Sequence, residues 1–149
     1  MKHFLAGAIL TAVSIASAIT GRDDVPPQDF NDLGAAYGSV GKLDGSFDGS
    51  GVLISDQWLL TSAHVAALSS NMTFTVGGTE YDSAEIIIHP GYTLFDSSYA
   101  NDIALVRLES SVTSVEPATL YRFGALNAVL GMDATWVGHG LSGNGTTGD

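Results

Sequence analysis

From about position 35 onward, short apolar runs alternate with Gly, Asn, Asp and Ser, the rhythm of brief strands joined by close turns. The pattern predicts strands at Ala35–Val40, Gly51–Ile54, Trp58–Thr61, Met72–Val76, Ala84–His89, Ile103–Leu108 and Thr135–Gly138. Several of these runs are continuous rather than alternating, among them Leu53-Ile54, Ile86-Ile87-Ile88 and Ile103-Ala104-Leu105-Val106. Strands apolar on both faces fit a small closed barrel with a filled interior and neighbours outside, and Trp58 is expected in that core. One helical turn is expected, at Ala63–Leu68. The stretch Ile19–Leu33 is polar and turn-rich, with Asp23-Asp24 and Pro26-Pro27, and predicts an extended arm lying on the surface. The tail Gly138–Asp149 (GHGLSGNGTTGD) predicts a loop. No internal repeat, low-complexity stretch or interior linker is visible.

The first 18 residues follow a different rule. Lys2 and His3 make a short basic start, Phe4 to Ile15 an apolar stretch, and Ala16-Ser17-Ala18 an A-x-A cleavage site, which together predict a secretory signal peptide. The stretch is short for a membrane span, which needs about 20 apolar residues. Removing residues 1–18 takes Lys2 away and leaves 4 basic against 16 acidic residues over 131 positions. The expectation is an exported protein with no membrane attachment after cleavage.

Composition narrows the field. A length of 149 residues suits one domain, and 45% hydrophobic with 14% charged residues is too apolar for a disordered chain. A formal charge of -11 argues against a nucleic-acid partner, which needs clustered Lys and Arg on its phosphates. The lack of cysteine excludes thiol nucleophiles, thiolate metal sites and disulfides.

Two segments can carry chemistry. In Gly49–Val65 (GSGVLISDQWLLTSAHV), His64 follows a strand among the small residues Ser62, Ala63 and Ala66, which leave its ring open to approach. An imidazole with an ordinary pKa of about 6.5 takes and returns a proton near neutrality. In Asn101–Leu108 (NDIALVRL), Asp102 opens an apolar strand. A carboxylate in such surroundings needs strong hydrogen-bond donors, and a histidine N–H is one. Read alone, a histidine at a strand-to-helix turn is more often structural, and a lone aspartate more often a turn residue. His89 and His139 show no metal-ligand spacing with His64, so no metal or cofactor is expected. Asp44, Asp48, Asp56, Asp82 and Asp96 are scattered and expected mostly on loops, as on a solvated surface rather than in a calcium site.

Taken together, the segments around His64 and Asp102 resemble the catalytic-histidine and catalytic-aspartate motifs of the trypsin-like (chymotrypsin-fold, family S1) serine endopeptidases. His89-Pro90-Gly91-Tyr92 is similar to the H-P-x-Y segment of that family, and Thr135–Gly140 (TWVGHG) to the strand and G-x-G turn opening its second half. The resemblance implies an all-β fold, an antiparallel six-stranded Greek-key barrel that is the first of two, over residues 19–149. It also implies a secreted endopeptidase acting on protein or peptide substrates, monomeric when complete, with His64 the general base and Asp102 its orienting acid.

Three departures qualify what it implies. Gly49 and Val65 stand where the family commonly has cysteines bracketing the histidine motif. Ile19-Thr20-Gly21-Arg22 is only partly like the family's I-V-G-G start, whose freed amine folds inward to order the active site. No G-D-S-G-G nucleophile motif occurs, and Ser142, the only serine in a glycine-rich context, lacks the G-x-S-x-G pattern. The expectation is therefore an inactive N-terminal part of such an enzyme, truncated before its second barrel. The alternatives are a half-length binding module that keeps the barrel, or an unrelated barrel matched by chance, for which His64 and Asp102 would lie far apart. N-terminal sequencing of the secreted protein is expected to begin at Ile19, exposing that amine without a separate activation cut; any other start removes this route.

Overall fold

The computed structural model describes residues 19–21, 24–94, 100–122, 129–139 and 142–144, with the backbone alone described for the first and last of these. The expected signal peptide, Arg22, Asp23, Asp96 and the tail residues Gly140, Leu141 and 145–149 lie outside the described residues.

Six strands close into an antiparallel barrel: β2 (Val40–Asp44), β3 (Gly49–Ser55), β4 (Trp58–Thr61), β5 (Thr73–Val76), β6 (Thr79–Ile88) and β7 (Ala104–Leu108), in the order β2-β3-β4-β7-β6-β5. The short helix α2 (Ala63–Ala66) lies on the connection from β4 to β5. Every second residue points inward. Leu53, Leu59, Phe74, Val106 and Leu108 are fully buried. Their neighbours Ile54, Leu60 and Leu105 are only half-buried, and Ile87 is exposed. The continuous apolar runs thus have one inner face and one partly wet outer face. Trp58 falls on that outer face, half-buried beside the inward Leu59, rather than in the core.

Close approach of two strands shapes the interior. Gly41 of β2 and Gly51 of β3 face each other in register, and the Phe74 ring occupies the space their missing side chains leave. A Cβ at Gly41 would collide with that ring and with the Thr75 carbonyl. Gly49 and Val65 also meet, since a Cβ at 49 would lie 2.7 Å from Val65 Cγ2.

Several elements differ from the sequence reading, each for a local reason. Residues 35–39 form turns, with Tyr37 N–H on the Gly34 carbonyl and Val40 N–H on the Tyr37 carbonyl, and the strand runs instead from Val40 to Asp44. Polar Lys42 hid its period, in which Gly41 and Leu43 turn inward. The extended arm is instead β1 (Ile19–Gly21) followed by the helix α1 (Pro27–Gly34). Proline at the first helical position starts a helix rather than breaking one. Gln28 Nε2 adds a bond to Asp32 Oδ1 one turn on, at 2.7 Å. No α1 residue is buried. The sixth strand begins five residues earlier than Ala84 because Gly77 and Gly78, at φ +57° and +76°, make a two-residue hairpin turn. Thr135–Gly138 forms no strand, and Trp136 is 89% exposed. Within the tail, Ser142–Asn144 is a strand, β8, paired parallel with β1.

Phe74→Ala is expected to cost about 3–5 kcal/mol, a large part of the roughly 5–15 kcal/mol that holds a domain together. Gly41→Ala is expected to cost about 1–3 kcal/mol by overpacking the same ring. Urea unfolding midpoints check both; a wild-type midpoint for Phe74→Ala would refute the ring's role as the barrel filling.

Candidate active site

The register of β4 against β7 decides where the two candidate residues meet. Thr61, the last residue of β4, pairs with Ala104, the first of β7. The chain leaving β4 and the chain entering β7 therefore lie side by side at one end of the barrel. His64 stands three residues past that rung and Asp102 two residues before it. Helix α2 buries Ala63, Val65 and Ala66, which turns the His64 side chain outward, 57% exposed. Asp102, more sheltered at 18%, sits on the loop beneath it.

Both carboxylate oxygens of Asp102 are engaged by this one residue. Oδ1 accepts the backbone N–H of His64 at 2.8 Å, and Oδ2 lies 2.7 Å from His64 Nδ1. An ionised carboxylate only accepts, so the shared proton belongs on Nδ1 and Nε2 keeps its lone pair. Two-point contact fixes the ring's orientation as well as its tautomer. Partial burial pushes the Asp102 carboxyl up. The His64 ring hydrogen bond, the His64 backbone N–H, the charge of the ring and the Ala63 backbone together outweigh that and hold it below the usual aspartate range.

The same end of the barrel is tied together by Ser50, which lies beside the end of β4. Thr61 Oγ1 donates to the Ser50 carbonyl at 2.8 Å. Ser50 Oγ donates to the His139 carbonyl at 2.9 Å and accepts the His139 N–H at 2.6 Å. A serine clamp thus holds the segment after residue 137 against β3. No sequence signal distinguished Ser50 from an ordinary strand serine, because its partner lies 89 positions away. His89 is also engaged, its Nδ1 accepting the Gly91 N–H at 3.1 Å. Among the described residues, no three His, Cys, Asp or Glu side chains are grouped to hold a metal ion. Only the backbone of Ser142 is described, in β8.

The Trypsin family model matches residues 35–148. Vitamin K-dependent protein C of Rattus norvegicus is 38% identical over 80 aligned residues, covering 47% of this chain and 16% of the relative. Complement C1r subcomponent-like protein of Homo sapiens is 31% identical over 118 residues, covering 60% of this chain and 24% of the relative. Among solved structures, neuropsin, a serine protease expressed in the limbic system of mouse brain, superposes with a TM-score of 0.52 at 25% identity, over 59% of this chain and 45% of its own. The barrel matches the first barrel of that fold. The chain thus spans about a quarter or less of these curated relatives and under half of the neuropsin chain. No helix among the described residues is long and apolar enough to cross a membrane.

Because the Asp102 carboxyl is held below its unfolded value, its pairing contributes stability that is fully present above the ordinary aspartate pKa of about 3.9 and disappears as pH falls through the lower folded value. Asp102→Asn is expected to be less stable than wild type at neutral pH, the gap closing on acidification below pH about 4. Unfolding midpoints measured across pH 2–7 check this; a gap independent of pH would contradict it.

Proposed function

Since this chain belongs to the trypsin family, we propose that it is the histidine- and aspartate-bearing barrel of a secreted serine endopeptidase. Residues 1–18 act as the signal peptide and residues 19–149 as peptidase domain. The observation that carries this reading is the grip of Asp102 on His64, 2.7 Å at the ring and 2.8 Å at the backbone. In this reading His64 is the general base. Its Nε2 takes the proton of a serine hydroxyl as that oxygen attacks a peptide carbonyl, then returns it to the leaving amine, and water resolves the acyl-enzyme by the same route. Asp102 holds the tautomer that leaves Nε2 free to accept and stabilises the imidazolium that forms.

The nucleophile, the oxyanion donors and the specificity pocket belong in this proposal to a second barrel, since no G-D-S-G-G string occurs among the 149 residues. Exposed apolar side chains support a partner surface of that kind. Tyr121, Leu130, Met132 and Trp136 are each more than 60% exposed on the segment that follows the barrel. Large apolar side chains left this exposed suit a face that meets a partner.

The 149-residue chain by itself is expected to show no peptidase turnover. A longer product of the same reading frame carrying G-D-S-G-G is expected to cleave peptide substrates. There, His64→Ala lowers kcat by roughly six orders of magnitude and Asp102→Asn by about four. Turnover of a peptide ester by the 149-residue chain, lost on His64→Ala, would overturn the placement of the nucleophile. Turnover of the longer product that survives His64→Ala would overturn the assignment of the base.

A further inference from the structure

Asp102 sits on a loop, and the ladder of β7 begins only at Ala104. A loop carboxylate that meets His64 with both oxygens has to be aimed by something besides the barrel. Asn101, immediately before it, has a backbone φ of +59°, the left-handed region that asparagine tolerates better than most side chains. The Asn101 carbonyl accepts the Ile103 N–H at 2.8 Å, closing a three-residue turn with Asp102 at its centre. The Asn101 side-chain amide donates to the Gly91 carbonyl at 3.0 Å. The Gly91 N–H donates to His89 Nδ1 at 3.1 Å, and the His89 N–H donates to the Ile103 carbonyl at 3.0 Å.

These four bonds form a closed circuit through Ile103, His89, Gly91 and Asn101, with Asp102 between two of its members. The circuit joins the end of β6 to the start of β7 through groups that the strand pairing leaves over. A Cβ at position 91 would lie 2.9 Å from Asn101 Nδ2 and 3.3 Å from His89 Cε1, so a side chain there would push the Asn101 amide aside. The absent methyl lets the amide reach its acceptor.

We infer that Asn101 is a positioning residue, whose left-handed backbone and side-chain bond to the turn at Gly91 aim the Asp102 carboxylate at His64. Its meaning for catalysis rests on the proposed roles of His64 and Asp102, but the geometric claim is tested without any activity. In NMR spectra of the full chain, the proton between His64 Nδ1 and Asp102 Oδ2 is expected as a resolved low-field signal. Asn101→Gly keeps the left-handed backbone available and removes only the side-chain bond. It is expected to lose or broaden that signal and to move the Asp102 carboxyl titration up toward the ordinary aspartate range, while the melting temperature stays within a few degrees of wild type. Gly91→Ala, which displaces the amide from the other side, is expected to give the same two changes, and it decides the matter if Asn101→Gly does not fold. A low-field signal and an Asp102 titration both unchanged in the folded variant overturn the inference. A peptidase assay that fails while these signatures respond as expected would count against the catalytic reading alone.

Discussion

A carboxylate drawn partly out of water resists ionising unless donors replace the solvent it has lost. Asp102 is in that position, and His64 bonds both of its oxygens, the backbone N–H on one and the ring nitrogen on the other, with the Ala63 backbone adding to their effect. The arrangement tolerates little movement. If α2 rotated, or if the loop before β7 slid by one residue, one oxygen would lose its partner and burial would favour the protonated acid. The rung at Thr61 and Ala104 therefore matters beyond its own hydrogen bonds, because it sets the distance between the two segments from which His64 and Asp102 project. Everything proposed about proton transfer depends on that spacing.

The barrel keeps this spacing without a covalent staple, for the chain has no cysteine. Packing takes over the role. Gly49 and Val65 pack against each other, and buried Val65 lies next to His64 in the chain. A little further in, the Phe74 ring fills the gap left by two facing glycines. Such contacts are individually weak and act only in close fit, so the rigidity of the site is tied to how completely the interior is filled. The charged pairs on the outer wall, Lys42 with Asp44 and Arg107 with Glu85, are exposed and contribute little to that rigidity. A serine clamp at Ser50 adds a local tie between the barrel and the segment that follows it.

Much of this was legible in the letters because it is local. Trp58–Thr61 is legible with its observed bounds, since it is short, apolar and flanked by turn residues. The helical turn after it follows from Ala63, Val65 and Ala66 at helical spacing. Misreadings arose where one residue type has two physical uses. Proline breaks a helix in its interior but starts one at its first position, and Pro27 takes the second use. Lysine on the outer face of a strand looks like loop, although Gly41 and Leu43 on either side of Lys42 are buried. Thr135–Gly138 is apolar enough for a strand, yet a strand also needs a neighbour to pair with, and composition carries no information about neighbours.

Residue order by itself determined the chemistry available: one imidazole among small residues, one aspartate opening an apolar strand, and no thiol anywhere. It also determined the all-β class, through the close spacing of apolar runs and turn residues. Tertiary structure decided that the imidazole and the carboxylate meet, that the carboxylate uses both oxygens, that Asn101 and Gly91 are hydrogen-bonded beside it, and that Ser50 ties His139 to β3. The reason is that a hydrogen bond between residues 38 or 89 positions apart is set by strand register and barrel closure, which are properties of the whole sheet and of no single segment.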